Sequence, residues 1–271
     1  MTNLGDIQAL IEQRERADIR VHTLGIFQLY RAGKIVLDKA WGRDTALQLF
    51  QFLVTIRNRR GLHKEQIIDR IWGEVDAKGG ERNFKVALHA INKVLEPQRE
   101  RRADPKYILR QGLTYQLANK GIWIDIEVFE ELVKIGNQQL QQDPNFAIEA
   151  YRLALSLYEG AYLPNRYYED WSSDRREYIQ VLVIGTLVTL AELLLPINPL
   201  ESVRLTQQAV AVDPTWEDAY RVQMQAYFER GNRPQAIRVY RQCKKILEEE
   251  FDIKPLPETQ TVFKRITGYT S

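Results

Sequence analysis

Apolar residues in this chain recur with strand periods near the start and with helical periods afterwards. Residues 20–38 are rich in Val, Ile, Leu, Phe and Tyr. Breaks at Gly25 and at Ala32-Gly33-Lys34 predict three short strands in a meander. Ala46, Leu49, Phe50, Leu53 and Ile56 then share one helical face, with Asp44 or Thr45 placed to cap the start and Gly61 to end it. A shorter helix follows, with Ile67, Ile68, Ile71 and Trp72 turned inward and Gly73 closing it. Gly79-Gly80 is expected to break the chain before a third helix. In that helix Phe84, Leu88, Ile91 and Leu95 are spaced by four, three and four, which builds one apolar stripe. Pro97 and the polar run at 99–106 mark a surface turn. Tyr107, Ile108, Leu109, Tyr115 and Leu117 then predict a hairpin around Gln111-Gly112, with alternate side chains turned to a core.

From about Gly121 the pattern is helical only. Seven amphipathic stretches follow, separated at breaks such as Asp143-Pro144, Pro196–Pro199, Asp213-Pro214 and Gly231-Asn232. The window from Glu217 to Glu250 has 34 residues, the period of the tetratricopeptide repeat. Tyr220, Ala226, Tyr227, Gly231, Ala236, Tyr240 and Cys243 alternate bulky and small side chains as that repeat requires. Ala147, Tyr151 and Ala154 echo a second unit, and Ala209, Asp213 and Pro214 a third. The expected fold is α+β followed by all-α. The expected division is a 1–18 extension, a 19–120 domain of strands and three helices, and a 121–271 helical-repeat domain. The extension is helical in pattern over Leu4–Ala17, to pack on the 19–120 domain or support dimerisation, with a disordered tail as the alternative.

The polar side of the third helix carries the candidate chemistry. Arg82, Asn83, Lys85, Val86, His89 and Lys93 lie opposite the apolar stripe, with no acid between Arg82 and Val94. A basic helix followed by a basic hairpin predicts a winged helix. The six residues are the candidates for base contacts, since Arg and Lys can read guanine and Asn adenine in the major groove. Arg57, Arg59, Arg60 and Lys64, at the turn between the first two helices, are candidates for phosphates. So are Lys106 and the wing residues Arg110, Gln111 and Thr114.

Charge distribution strengthens this reading. The net charge of +2 conceals 22 Lys+Arg against 14 Asp+Glu in residues 1–122, and 16 against 22 in the remainder. A basic half beside an acidic half points to a polyanion for one and a different partner for the other. The single cysteine, Cys243, excludes an internal disulfide framework and fits a reducing cytoplasm. Three scattered histidines argue against a zinc site, so neither metal nor cofactor is expected. The longest apolar run, Val181–Leu195, is broken by Gly185, Thr186, Thr189 and Glu192, so no membrane segment is expected. Phosphate-cradling GxxxxGK[ST] and GxGxxG turns, HExxH and GxSxG are all missing, and no enzyme is expected. Glu169 and Asp170 read as a helix-start feature that complements the dipole, with Trp171 as a core anchor.

Together these stretches resemble one family. IRVHTLGIFQLYRAGK, IIDRIWGE, NFKVALHAINKVLE and YILRQGLTYQL, followed by WIDIEVFEEL, YEGAYLPNRYYEDWSSDRREY, the 209–251 segment and IKPLPETQTVFKRI, are similar to SARP-type regulators. These join an OmpR-type winged helix to a bacterial transcriptional activator domain, and the resemblance covers about residues 19–267. It implies activation of transcription by dimers or higher assemblies that bind direct repeats near the promoter's −35 element and contact RNA polymerase, including its sigma factor. The implied partners are therefore double-stranded DNA, the polymerase and a second copy of the chain. Asn83-Phe84 and His89-Ala90-Ile91-Asn92 stand where relatives often carry a more Arg-rich helix, so no target sequence carries over. A protein-interaction scaffold, or a repressor on the same fold, remains as an alternative reading.

Overall fold

The computed structural model describes residues 4–57, 61–100 and 102–268. Two compact units emerge. The first holds residues up to Val128 together with Glu159–Glu177; the second holds Phe129–Tyr158 and the chain from Tyr178 onward.

The first unit opens with helix α1 (Leu4–Arg16), whose Ile7 is buried and whose Arg14 guanidinium lies 5.3 Å from the centre of the Trp123 ring. The predicted meander follows as β1 (Ile19–His22), β2 (Gln28–Arg31) and β3 (Lys34–Ile35). Ala32 and Gly33 both take positive φ, 47° and 77°, the backbone that lets a two-residue turn match strand twist. A short 3-10 helix (Asp38–Trp41) leads to α2 (Asp44–Thr55). Then come β4 (Leu62–His63), α3 (Lys64–Trp72), α4 (Ala77–Leu95), β5 (Ile108–Gln111), β6 (Thr114–Leu117) and β7 (Ile122–Ile124). One sheet has the order β3-β2-β1-β7, the other β4-β6-β5. Strand β7 runs parallel to β1, pairing Ile19 with Ile122 and Val21 with Ile124.

Three expectations change. Gly79-Gly80 does not interrupt the chain: α4 starts at Ala77, with the Asp76 side chain accepting from the Gly79 amide. A Cβ on Gly80 would stand 2.5 Å from Ile68 Cγ2, so this glycine lets α3 and α4 approach closely. Asp44 does not cap α2; its carboxylate accepts two bonds from Arg166, at 2.6 and 2.8 Å. Helix α2 ends at Thr55, well before Gly61, where an added Cβ would press on Thr114 of β6.

Residues 159–177 are built into this first unit. Leu24 bridges Tyr162, and the amides of Gly25 and Leu163 donate to Ala161 and Thr23. Tyr162 and Leu163 are fully buried. The Tyr162 hydroxyl meets Thr55 Oγ1 at 2.8 Å, and the Trp171 ring sits edge-on to Phe52. Arg166, only 7% exposed, donates to Gln51 Oε1 at 2.7 Å as well as to Asp44. The Arg166 hydrogen bonds hold Asp44 below the ordinary carboxylate range.

The second unit is helical. Its elements are α5 (Asp125–Gln139, whose first turn belongs to the first unit), α6 (Pro144–Leu155), α7 (Asp170–Leu194, likewise shared), α8 (Pro199–Val212), α9 (Glu217–Glu229), α10 (Arg233–Phe251) and α11 (Pro257–Thr267). These are the seven helices expected from the apolar pattern. Asp143, Asn198 and Asn232 cap α6, α8 and α10 through their side chains, each with Pro in the first turn. Tyr220, Met224, Ala236, Val239, Cys243, Leu247 and Ile266 form one core cluster, and Tyr240 stacks on Phe263 at 3.9 Å. The repeat positions Tyr220, Ala226, Ala236 and Cys243 are buried. Burial pushes the Cys243 thiol up to about 12. Gly136 permits the close approach of Tyr151, whose ring would be 2.5 Å from an added Cβ. Helix α7 is long and apolar enough to cross a membrane by length and composition, although the sequence run looks interrupted. Ile179, Val183, Ile184, Leu187, Leu190, Ala191 and Leu194 are nevertheless buried within the protein, as in a core helix.

Candidate nucleic-acid interface

The hairpin of β5 and β6 is joined to helix α4 at one place and to the start of α3 at another. Phe84, on the buried face of α4, meets Tyr115 of β6 edge-on, with ring centroids 5.0 Å apart. Strand β4, which runs directly into α3, pairs with β6 (Leu62 with Tyr115, His63 with Thr114), and the Lys64 amide donates to Leu113. His63 caps α3 through its ring nitrogen, reciprocated by Gln66. The helix and hairpin therefore stand on one packed base.

The two faces of α4 separate as the sequence pattern predicts. Phe84, Ala87, Ile91, Val94 and Leu95 are buried and Leu88 is half-buried. Arg82, Lys85, Val86, His89 and Lys93 are exposed, with Asn83 half-buried at the margin. These five fall on one stripe along nearly three turns. At the hairpin tip, Arg110 and Gln111 are exposed and Thr114 is half-buried. Arg110 Nε donates to the Gly112 carbonyl at 2.7 Å, which folds that side chain over the turn. Leu113, 45% exposed, projects an apolar group from the tip.

Four proposed phosphate contacts need separate comment. Arg57 is buried and unavailable to a phosphate. Its guanidinium donates to the carbonyls of Asn119 and Ile122 at 3.0 and 3.1 Å and pairs with Glu127 at 3.1 Å. It ties the end of α2 to β7 and the start of α5. Lys106 lies at the foot of the hairpin, away from its tip, paired with Asp18. Arg59 and Arg60, with Asn58, lie outside the described residues.

One acid missing from the sequence reading also matters. Glu81, one residue before the acid-free window, pairs with Lys64 at 2.6 Å and with Lys85 at 3.0 Å. Hydrogen bonds from Lys64 and then Lys85 hold its carboxyl below the ordinary range. In the free protein it thus restrains two of the candidate cations. The four-residue spacing of Glu81 and Lys85 on a helix was the available signal.

Residues 124–267 match the family described as "Bacterial transcriptional activator domain". The chain belongs to that family. The activator domain begins at the end of β7 and includes all seven C-terminal helices. The fold of this family member is also similar to a solved structure, "Mycobacterium tuberculosis EmbR in complex with low affinity phosphopeptide". The TM-score is 0.79 at 17% sequence identity, over 93% of this chain and 65% of that one. The activator chain therefore spans a little under two thirds of that relative's length. No curated protein matches it significantly. The family match and the shared fold together give a winged-helix unit followed by a bacterial transcriptional activator domain, the arrangement of the SARP-type regulators that the sequence resembles.

Proposed function

We propose that the protein is a sequence-specific DNA-binding regulator of transcription, acting as an activator in the cytoplasm. Helix α4 enters the major groove, and Arg82, Asn83, Lys85, Val86, His89 and Lys93 face base edges and the flanking phosphates. Arg110, Gln111 and Thr114 bring the wing to the adjacent backbone, and Lys64 contributes once Glu81 releases it. The observation that carries this reading is the exposed basic stripe on a helix whose other face is buried and whose hairpin neighbour is also basic. A helix whose apolar side is already buried can offer its polar side to a partner without loss of packing. Cations on that side suit a polyanion.

By the resemblance to SARP-type regulators, the reading extends to binding as a homodimer to direct repeats near a promoter and to contact with RNA polymerase and its sigma factor. The test is an anisotropy titration of promoter-derived and random duplexes at two salt concentrations. Affinity should fall steeply with salt, since each neutralised phosphate contributes a slope of about 0.9 in log K against log salt. Near-zero affinity for every duplex at low salt would sink the DNA assignment and favour the scaffold reading, in which the winged helix docks a protein.

A further inference from the structure

The first unit carries a second charged feature far along α4 from Arg82. A cleft of about 770 Å³ opens between the 31–40 segment and the residues that follow α4. Its apolar surface includes Leu95 and Pro97, and its rim presents Ile35 and Leu37, which are 50% and 54% exposed. Lys34, Lys39 and Arg99 also line it. Two further lining cations are already engaged: Arg31 donates to the Val94 carbonyl and Lys106 pairs with Asp18. The one lining carboxylate, Glu96, accepts the amides of Lys106 and Tyr107 at 2.8 and 3.2 Å. Lys34 and Lys39 have no ion pair among the described residues. One terminal nitrogen of Arg99 is out of solvent with no hydrogen-bond partner among them. A buried guanidinium nitrogen left unpaired is costly, so a carboxylate at the cleft mouth that drew the Arg99 side chain outward would relieve it.

The cleft also borders a sheet edge. Strand β3 pairs with β2 on one side, and on the other no strand among the described residues covers it. The Val36 amide donates to Leu29 across the pair, so by strand alternation the N–H and C=O of Ile35 face the open side. A natural sheet blunts such an edge with a short strand and a lysine, and both are present here.

We propose that this cleft takes an extended acidic segment of a partner protein, added along the outer edge of β3. Alternate side chains of an added strand point to opposite faces. The acidic ones meet Lys34, Lys39 and Arg99, and the apolar ones cover Ile35, Leu37 and Pro97. Main-chain bonds to Ile35 supply the common part of the affinity, and charge complementarity selects the segment. This surface is separate from the helix α4 stripe and does not depend on the DNA reading.

The probe is a fluorescein-labelled synthetic decapeptide alternating glutamate with valine and leucine, titrated with the full chain. Its controls are the same peptide with lysine for glutamate and one with methylated backbone amides. The acidic peptide should bind, and both controls should bind at least about tenfold more weakly. The double variant Lys34→Glu, Lys39→Glu should weaken the acidic peptide about tenfold, through two lost ion pairs and two new repulsions, with unfolding temperature and duplex affinity unchanged. Equal binding of the acidic and basic peptides, or of neither, would overturn the proposal. So would undiminished binding of the amide-methylated peptide. Tighter binding of inorganic tripolyphosphate than of the peptide would reassign the cleft to small anions. A fall in duplex affinity matching that of Lys85→Ala would reassign it to DNA.

Discussion

A fragment that ends at Val128 should be unable to hold the winged-helix fold. The cut looks natural in sequence, since it falls just after the last strand and spares helices α1 to α4. It removes residues 159–177, which the structure builds into the same compact unit. Tyr162 and Leu163 each lose a fully buried position, worth about 1.5–3 kcal/mol apiece. The loss of Arg166 strands Gln51 Oε1, on a side chain with 0% exposure, which costs about 1–3 kcal/mol. The sum, about 4–9 kcal/mol, is comparable to the whole stability of a domain, about 5–15 kcal/mol. Urea unfolding followed by circular dichroism should therefore show fragment 1–128 largely unfolded or melting without a cooperative transition. Arg166→Met in the full chain isolates the polar part. At about 2–4 °C per kcal/mol for a unit of this size, it should lower the first melting transition by roughly 2–12 °C. A fragment 1–128 that unfolded cooperatively at the urea midpoint of the intact protein would refute this account of residues 159–177.

Further outcomes follow from the interface and its supports. Replacing Lys85 or His89 with Ala should weaken preferred duplexes more than random ones, whereas Arg110→Ala should weaken both equally and flatten the salt slope; identical behaviour in salt-dependent anisotropy would erase the division between base and backbone contacts. Glu81→Gln should release Lys64 and Lys85, raise affinity for every duplex and steepen that slope; unchanged binding would mean the ion pairs persist or do not matter on DNA. Gly80→Ala should destabilise the first unit by about 1–3 kcal/mol through the clash with Ile68, read as a lower melting temperature. Asp44 has its folded pKa held below the ordinary value of 3.8, so its contribution is complete above that pH and disappears as acid drives it through the lower folded value. Asp44→Asn should accordingly show less loss of stability between about pH 5 and pH 2 than the parent protein.

The elements of both halves were readable because their apolar spacings are local. Phe84, Leu88, Ile91 and Leu95 specify a buried face within fifteen residues, and the structure buries or half-buries all four. The features that escaped are those whose reasons lie far away in the chain. Strand β7 finds its partner β1 about a hundred residues earlier, and a three-residue apolar run gives no sign of it. Arg57 has the same charge as Arg59 and Arg60 beside it in sequence, but only the fold shows that two carbonyls and Glu127 enclose it. Gly79-Gly80 reads locally as a break because glycine weakens helices, while here the absent Cβ admits Ile68 and packing prevails over propensity. The YEDWSS segment is recognisable as a helix start, and nothing in its spacing reveals that Arg166 and Tyr162 before it complete a distant unit.

On the proposed DNA reading, the ring contact between Phe84 and Tyr115 limits how the protein would search a duplex. With β4 and β6 paired behind it, the packed helix and hairpin would act as a gauge of fixed span. A duplex whose groove dimensions differ from that span must bend or twist to engage both arms, at a cost that varies with its base steps. Discrimination would then extend to base pairs that no side chain touches, and stiff sequences would be rejected for their mechanics alone.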